Sequence, residues 1–273
     1  MKFFYGTHEW EIIEKGFHPE RNRVTESLMS LGNGYMGMRG NFEEDYSGDS
    51  LQGTYIAGVF YPDRTVVGWW KNGYPEYFAK VLNAVNFIGI RVGLGGRAVD
   101  LHTWEPLDFQ RKLDMRAGQL TRSFRVQDEQ GRIFHLEIGR FVSKHQRQLA
   151  AIRYRVTLEE DPSYVINEDA NYGEDFWLGV TEASEANHQM VTMETKKSGF
   201  LVAASSSFRL YLDEHEITEN STQFAASSGY VEASVQQKLQ LGQTLTLEKL
   251  VAVTTNRDYP AKQVTEQALK LLD

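Results

Sequence analysis

The chain has 273 residues, 41% of them hydrophobic and 12% aromatic, so it is long enough to bury a large core within a single domain. Its formal net charge of −8 argues against nucleic acid or an anionic membrane surface as a partner, and its lack of cysteine excludes disulfides and thiolate metal sites. No apolar run has the length of a membrane span or the flanks of a secretory signal, so we expect a cytoplasmic protein without a membrane partner.

After a predicted strand (residues 8–14) and a predicted loop (17–20), the chain reaches a glycine-rich segment. Its glycines alternate with large apolar side chains: Gly32, Gly34, Gly37 and Gly40. We expect a buried strand–turn–strand with Asn33 in the turn, in which Gly34 and Gly37 take positive φ or allow close backbone approach. The dinucleotide fingerprint G-x-G-x-x-G also matches here, but no βαβ frame surrounds it, so a phosphate-binding loop is disfavoured.

A long aromatic loop is predicted next, over residues 64–77, after a buried strand over residues 52–61 that Pro62 is expected to end. The loop contains an Asn-Gly turn and four candidate contact residues, Trp69, Trp70, Lys71 and Tyr74. Flat indoles stack on sugar rings, and large aromatic side chains are enriched at interfaces. We therefore expect a substrate or interface contact here, with packing into the core as the alternative.

Alternation of apolar and polar residues is clearest after Gly118, where three runs predict an antiparallel meander. With the other short runs, the count reaches roughly fifteen strands or more, which favours two packed antiparallel sheets over a barrel. The period changes to 3.6 residues only after Pro260, which predicts a short C-terminal helix. Its apolar stripe consists of Ala261, Val264, Ala268, Leu271 and Leu272.

No strong catalytic constellation is present in the sequence. The seven histidines have no metal-ligand spacing, so neither a metal site nor a catalytic residue is assigned. Asp114 stands among basic residues, including Arg111 and Arg116, and we expect it to position those arginines or to cap a turn. Arg39 is likewise expected to be structural.

The run from Ser30 to Gly40 resembles a signature near the amino terminus of the family 65 glycoside phosphorylases. Residues 111–120 are similar to that family's next fixed element, and shorter matches occur at residues 10–12 and 140–143. The resemblance covers essentially the whole chain in order and is strongest to the maltose-cleaving members. It assigns a structural role to Gly32, Asn33, Gly34, Gly37, Arg39, Gly40, Asp114 and Arg116.

This resemblance implies a large supersandwich of the galactose-mutarotase type over residues 1–258 and the start of a helical linker over residues 259–273. In the family, a following (α/α)6 barrel carries the catalytic and phosphate-binding residues, so none is assigned here. The intact protein is expected to cleave an α-linked glucose disaccharide, maltose, with inorganic phosphate as co-substrate and no cofactor. The products would be β-glucose 1-phosphate and glucose. The barrel is the expected partner, and a homodimer is compatible with the resemblance.

Two other functions remain open. A stand-alone carbohydrate-binding sandwich would hold sugar through aromatic residues such as Trp69 and Trp70. An aldose epimerase would need a histidine base and a glutamic acid converging in one cleft, with His102, His135 or His188 as the base.

Overall fold

The computed structural model describes residues 5–65, 75–129, 131–158, 164–171, 176–185, 188–218, 222–227 and 230–273. The described elements are almost all antiparallel strands, with two short α-helices, one of them near the C-terminus. The predicted all-β sandwich is therefore confirmed. The aromatic loop residues Trp69, Trp70, Lys71 and Tyr74 lie outside the described residues.

The elements occur in the following order along the chain. The strands are β1 (Tyr5–Thr7), β2 (Glu11–Lys15), β3 (Leu31–Gly32), β4 (Met36–Met38), β5 (Thr54–Ile56), β6 (Phe60–Arg64), β7 (Tyr77–Val81), β8 (Ile90–Leu94), β9 (Arg97–Ala98), β10 (Leu107–Asp114), β11 (Gln119–Gln127), β12 (Ile133–Val142), β13 (Leu149–Leu158), β14 (Tyr164–Asn171), β15 (Trp177–Glu185), β16 (His188–Thr195), β17 (Leu201–Leu212), β18 (His215–Glu216), β19 (Gln223–Ser227), β20 (Tyr230–Gln237) and β21 (Thr244–Thr255). The α-helices are α1 (Asn22–Leu28) and α2 (Val264–Lys270), each preceded by a 3-10 turn (Pro19–Arg21 and Ala261–Gln263).

Two sheets form the sandwich. Among the described strands, eleven make a large sheet in the order β1-β2-β10-β11-β12-β13-β21-β17-β16-β15, with β18 beside β17. Five make a small sheet in the order β19-β20-β14-β8-β9. The inward-facing apolar side chains of the two sheets meet in one buried cluster, which includes Phe124 and Leu136 of the large sheet and Ile90 and Val231 of the small one.

The meander predicted after Gly118 corresponds to β11, β12 and β13, which pair antiparallel without a register shift. Side chains alternate between the faces of a strand, so each strand has a buried inner face and an outer face. On β12, for example, Leu136 and Ile138 are buried whereas Glu137 is exposed. This alternation defines the inner and outer faces of the large sheet.

Helix α1 was not predicted from the sequence, where only a loop at residues 17–20 was expected in this region. The buried residues of the helix are polar, namely Asn22, Thr25 and Glu26, whereas Val24 and Leu28 are exposed. An amphipathic helix is normally recognised by an apolar stripe. Because the buried side of α1 is polar, that signal is absent.

The strand expected over residues 52–61 is divided into β5 and β6. Gly58 lies in the turn between them with φ +74°. The expectation that Pro62 ends the strand is wrong, since Pro62 lies within β6 and faces Ala79 of β7. Strands β6 and β7 form a separate two-stranded hairpin. A proline is tolerated there because the outer edge of each strand needs no hydrogen-bonding partner.

The C-terminal helix α2 packs on the outer face of the large sheet. Val264 and Ala268 are buried against Ala203 of β17, as their helical spacing predicts. The Thr254 hydroxyl donates a hydrogen bond of 2.7 Å to the Val264 carbonyl and joins α2 to β21. The sheet is therefore covered on this outer side near β17 and β21.

Candidate functional site: an ionic layer inside the sandwich and a groove outside it

The glycine-rich segment forms a tight hairpin of β3 and β4, with Gly32 opposite Gly37. The Asn33 side-chain oxygen accepts hydrogen bonds of 3.0 Å from the amides of Tyr35 and Met36, which closes the turn. The Asn33 side-chain nitrogen donates to the carbonyls of Ser143 (2.6 Å) and Arg147 (2.9 Å). One amide side chain therefore shapes the hairpin and joins it to the β12–β13 connection.

The glycines of this segment differ in what they require. Gly34 has φ +87° and open space where a Cβ would lie, so only its backbone conformation demands glycine. Gly37 has neither a positive φ nor a crowded Cβ position, so the expectation for this residue is wrong. A Cβ on Gly40 would lie 3.0 Å from the Met29 Cβ and 3.3 Å from the Glu26 carbonyl oxygen. Position 40 therefore requires glycine, because the backbone there passes close to the end of α1.

Gly40→Ala should lower the free energy of unfolding by about 1–3 kcal/mol, because the added methyl group must displace backbone atoms of α1. Gly37→Ala is the matched control in the same hairpin and should leave stability unchanged or slightly increased. Urea denaturation of both variants measures the difference. Equal stability of the two variants would contradict the close packing of Gly40 on α1.

An ionic layer is buried beneath this hairpin, between it and the inner face of the large sheet. We define it as Glu14, Glu43, Glu44, Arg111, Arg122 and Arg140, whose exposed fractions are all 5% or less. Arg111 lies 2.9 Å from Glu14, and Arg122 lies 2.7 Å from Glu43. Arg122 also pairs with Glu44, and Arg140 pairs with Glu43. Three carboxylates thus meet three guanidinium groups.

The three arginines of the ionic layer come from three adjacent strands. Arg111, Arg122 and Arg140 occupy inner-face positions of β10, β11 and β12, in line with buried apolar residues. They also bind the backbone of the crossing segment, since Arg111 donates to the Gly40 carbonyl at 2.9 Å and Arg140 donates to the Arg39 carbonyl at 2.8 Å. The sequence analysis did not predict this cluster. Each arginine is an even number of residues from the buried apolar residues of its strand, and this spacing would have indicated an inward-facing charge.

The charges of this layer alter the titration of its members. Burial by itself would raise the pKa of Glu43, but Arg140 and Arg122 outweigh burial and hold that pKa below its usual value. Burial and the Glu44 carboxylate raise the pKa of Tyr154 well above its usual value. The Tyr154 hydroxyl donates a hydrogen bond to Glu44, so it closes the layer on the β13 side.

Arg122→Met should destabilise the chain by about 3 kcal/mol or more, because Glu43 and Glu44 would keep their burial and lose a shared counter-ion. The matched control is Arg125→Met on the same strand, where the lost partner is the exposed Asp108. That change should cost about 1 kcal/mol or less. Chemical denaturation at neutral pH compares the two variants, and similar losses would contradict the assigned role of the layer.

Stability should fall as the pH is lowered below about 4.5, the ordinary pKa of a glutamic acid such as Glu43. A carboxyl group with a lowered folded-state pKa contributes stability above its unfolded pKa and loses it as the pH falls through the folded value. The Glu43→Gln variant should be less stable at pH 7 and should depend less steeply on pH between 5 and 3 (about the range set by ordinary carboxyl groups). If the free energy of unfolding had the same pH dependence in the wild type and in Glu43→Gln, the lowered pKa of Glu43 would be contradicted.

The remaining predicted motif residues are structural in their contacts. Asp114 accepts hydrogen bonds from the amides of Arg116 (3.0 Å) and Ala117 (2.8 Å), so it caps the β10–β11 turn. Arg39 donates to the Arg23 carbonyl at 3.0 Å and lies 3.8 Å from the Glu26 carboxylate. Arg39 therefore connects the end of the hairpin to α1.

A groove of about 620 Å³ lies on the outer face of the large sheet, and we call it the outer groove. Aligned outer-face residues of five adjacent strands cross its floor in the order Thr121, Gly139, Arg153, Glu248 and Arg209. Arg153 binds the Glu248 carboxylate through two nitrogens, at 2.9 and 2.6 Å. The outer groove therefore has a polar floor with both signs of charge.

A second aligned row of the outer groove is more apolar. It contains Phe141, Ala151 and Leu250, and Leu272, just beyond α2, lies at its border. Phe141 and Leu250 are each 44% exposed. A polar surface and an exposed apolar strip therefore lie side by side in one concavity.

The three candidate histidines lie in three different places. His102 packs edge-on against Tyr46, with ring centres 5.9 Å apart. The His135 ring nitrogen Nε2 lies 2.9 Å from the hydroxyl of Ser123, which lines the outer groove. His188 is on β16, four strands from β12 in the sheet order, or roughly 19 Å at the usual strand spacing. The structure thus does not bring the three together.

Metal-ion and membrane features are absent from the part of the chain that the structure describes. No group of three or more His, Asp or Glu side chains there could hold a metal ion. Neither of the described helices combines the length and apolar character needed to cross a bilayer.

Known proteins resemble the chain over nearly all of its length. The maltose phosphorylase of Bacillus subtilis is 40% identical over 97% of this chain and 35% of its own length. The α,α-trehalose phosphorylase of Thermoanaerobacter brockii is 29% identical over 100% of this chain and 37% of its own length. The solved structure of a putative kojibiose phosphorylase from the human microbiome superposes with a TM-score of 0.87, at 23% identity, over 98% of this chain and 36% of that one.

The chain thus spans little more than a third of the length of these relatives. The last structure has the same fold. A family model described as the N-terminal domain of glycosyl hydrolase family 65 matches residues 12–273. The chain belongs to this family of N-terminal domains.

Proposed function

We propose that this chain is the non-catalytic N-terminal domain of a phosphorylase that acts on an α-linked glucose disaccharide. The observation that carries the proposal is the family match over residues 12–273, combined with relatives that are nearly three times as long. The identity to a maltose phosphorylase supports maltose as the disaccharide. The residues that carry out the reaction then belong to the catalytic barrel that follows this domain.

In the proposed reaction, a phosphate oxygen attacks the anomeric carbon while the bond from that carbon to the glycosidic oxygen breaks. The departing glucose oxygen takes up a proton from an acid on the catalytic barrel, and the products are β-glucose 1-phosphate and glucose. Phosphate is a co-substrate and no cofactor takes part. The three carboxylates of the ionic layer are buried and paired with arginines, which suits a structural role better than an acid–base role.

The domain supports the assembly of the whole enzyme in this proposal. Residues 1–258 are the sandwich and residues 259–273 begin the linker to the barrel. The proposed contact with the barrel or a second subunit includes Trp69, Trp70, Lys71 and Tyr74. The β6–β7 hairpin adjoins this segment and exposes Tyr77, Phe78 and Val81, which supports an interface there. The whole protein is cytoplasmic, and a homodimer fits this arrangement.

The chain alone should form no β-glucose 1-phosphate from maltose and phosphate, above a control without protein. A chimera in which this chain replaces the corresponding third of the B. subtilis maltose phosphorylase should be active, because the barrel regains its supporting domain. An enzyme-coupled assay of β-glucose 1-phosphate measures both. In the chimera, Trp69→Ala/Trp70→Ala should reduce activity or assembly, whereas Phe224→Ala, which removes an exposed aromatic from β19 of the small sheet, should not.

Each part of the proposal has a result that contradicts it. Product formation by the isolated chain would overturn the non-catalytic role. A chimera that is folded by circular dichroism but inactive would overturn the supporting role. Full activity of the double tryptophan variant would remove the aromatic loop from the interface.

A further inference from the structure

The size and position of the outer groove are suited to a small ligand. Its volume of about 620 Å³ lies within the range of roughly 300–1,000 Å³ that is usual for ligand sites. Its floor consists of β-strands paired in continuous register, so the side chains that line it are held on a rigid support. Gly139 is the second residue of the aligned row, and the Gln119 side-chain nitrogen lies 3.3 Å from the position that a Cβ of Gly139 would take.

The polar groups of the outer groove include both donors and acceptors. Arg155 and Arg209 supply guanidinium donors, Gln119 supplies an amide, and Glu137 supplies a carboxylate. The charge of Arg153 is already balanced by Glu248. A sugar hydroxyl both donates and accepts, so a neutral polyhydroxylated ligand matches this mixture. A phosphate group matches it less well, because its ionised oxygens only accept hydrogen bonds and would leave the Glu137 carboxylate without a donor.

Arg155, which lines the outer groove, has a polar atom without a partner in the described part of the chain. The side-chain Nε of Arg155 is buried and makes no hydrogen bond to a described residue. An unsatisfied buried donor is costly and uncommon in folded proteins. A hydroxyl group of a ligand in the outer groove would supply the acceptor that Arg155 lacks.

The apolar strip of the groove fits the other side of a sugar. A pyranose ring has a face of C–H groups and a rim of hydroxyls, so it needs an apolar surface next to polar groups. Phe141 offers an exposed ring next to the polar floor, with Leu250 further along the same row. Aromatic side chains used in this way contribute much of the binding energy at many recognition sites.

We propose that the outer groove is an oligosaccharide-binding site in which a pyranose ring stacks on Phe141 and its hydroxyls bond to Arg155 and neighbouring polar groups. The ligand is a short, neutral, α-linked glucose oligosaccharide. The choice of an α-linked glucose ligand rests on the proposed function, whereas the choice of a neutral sugar rests on the groove itself.

Isothermal titration calorimetry of the isolated chain with maltotetraose tests the proposal. We expect saturable binding that Phe141→Ala weakens by roughly tenfold or more, because the stacking surface is lost. Arg155→Gln should weaken binding severalfold. The control Phe224→Ala removes an exposed aromatic from β19 of the small sheet and should leave affinity unchanged. Both groove positions lie on the outer face, so the variants should fold, and circular dichroism melting checks this.

Several results would overturn the proposal. The first is the absence of any heat of binding at high concentrations of maltotetraose, and the second is tighter binding of inorganic phosphate than of the sugar. The third is a loss of affinity in the Phe224→Ala control equal to the loss in Phe141→Ala. Polarimetry of fresh α-glucose with the chain should show only the spontaneous rate of mutarotation, and acceleration would make the groove an epimerase site instead. Binding is measured on the isolated chain and phosphorolysis on the chimera, so failure of this inference is distinguishable from failure of the proposed function.

Discussion

The pairing of buried guanidinium groups with buried carboxylates is the interaction on which the inner half of this sandwich depends. Arg111, Arg122 and Arg140 face inward from three neighbouring strands, where unpaired charge would be severely unfavourable. Two of their counter-ions, Glu43 and Glu44, come from a segment without regular structure. The arginines therefore hold that segment on the sheet, and the segment neutralises the arginines. Removal of either partner would leave the other as an unpaired buried charge.

This mutual dependence explains the geometry around the hairpin. The guanidinium groups bind backbone carbonyls of residues 39 and 40, and on its other side the Gly40 amide donates a hydrogen bond of 2.7 Å to the Glu26 carbonyl of α1. The Glu43 carbonyl then accepts a hydrogen bond of 2.9 Å from the Ile90 amide and connects the same segment to the small sheet. One stretch of irregular chain thus joins α1, the hairpin and both sheets, and Phe42 packs its ring against Arg111 and Arg122.

The two faces of the large sheet carry different side chains because side chains along a β-strand alternate in direction. The inner positions of β11, β12 and β13 are occupied by the core and the ionic layer. The outer positions of the same strands leave Phe141, Arg155 and Glu137 in the outer groove. Helix α2 covers the outer face near β16, β17 and β21.

The sequence by itself determined the features that depend on local spacing: the meander of β11 to β13, the turn at Asn33 and Gly34, and the C-terminal helix with Val264 and Ala268 inward. The tertiary structure alone decided which charged residues are buried and where the groove lies. Arg122 meets Glu44 from 78 positions away in the chain, and the groove combines β11, β12 and β13 with β17 and β21, which follow much later in the chain. Helix α1 is also decided by the tertiary structure, because its buried polar side chains form hydrogen bonds with residues outside the helix. Local periodicity reports whether a side chain is buried, but the identity of its partner depends on contacts between distant parts of the chain.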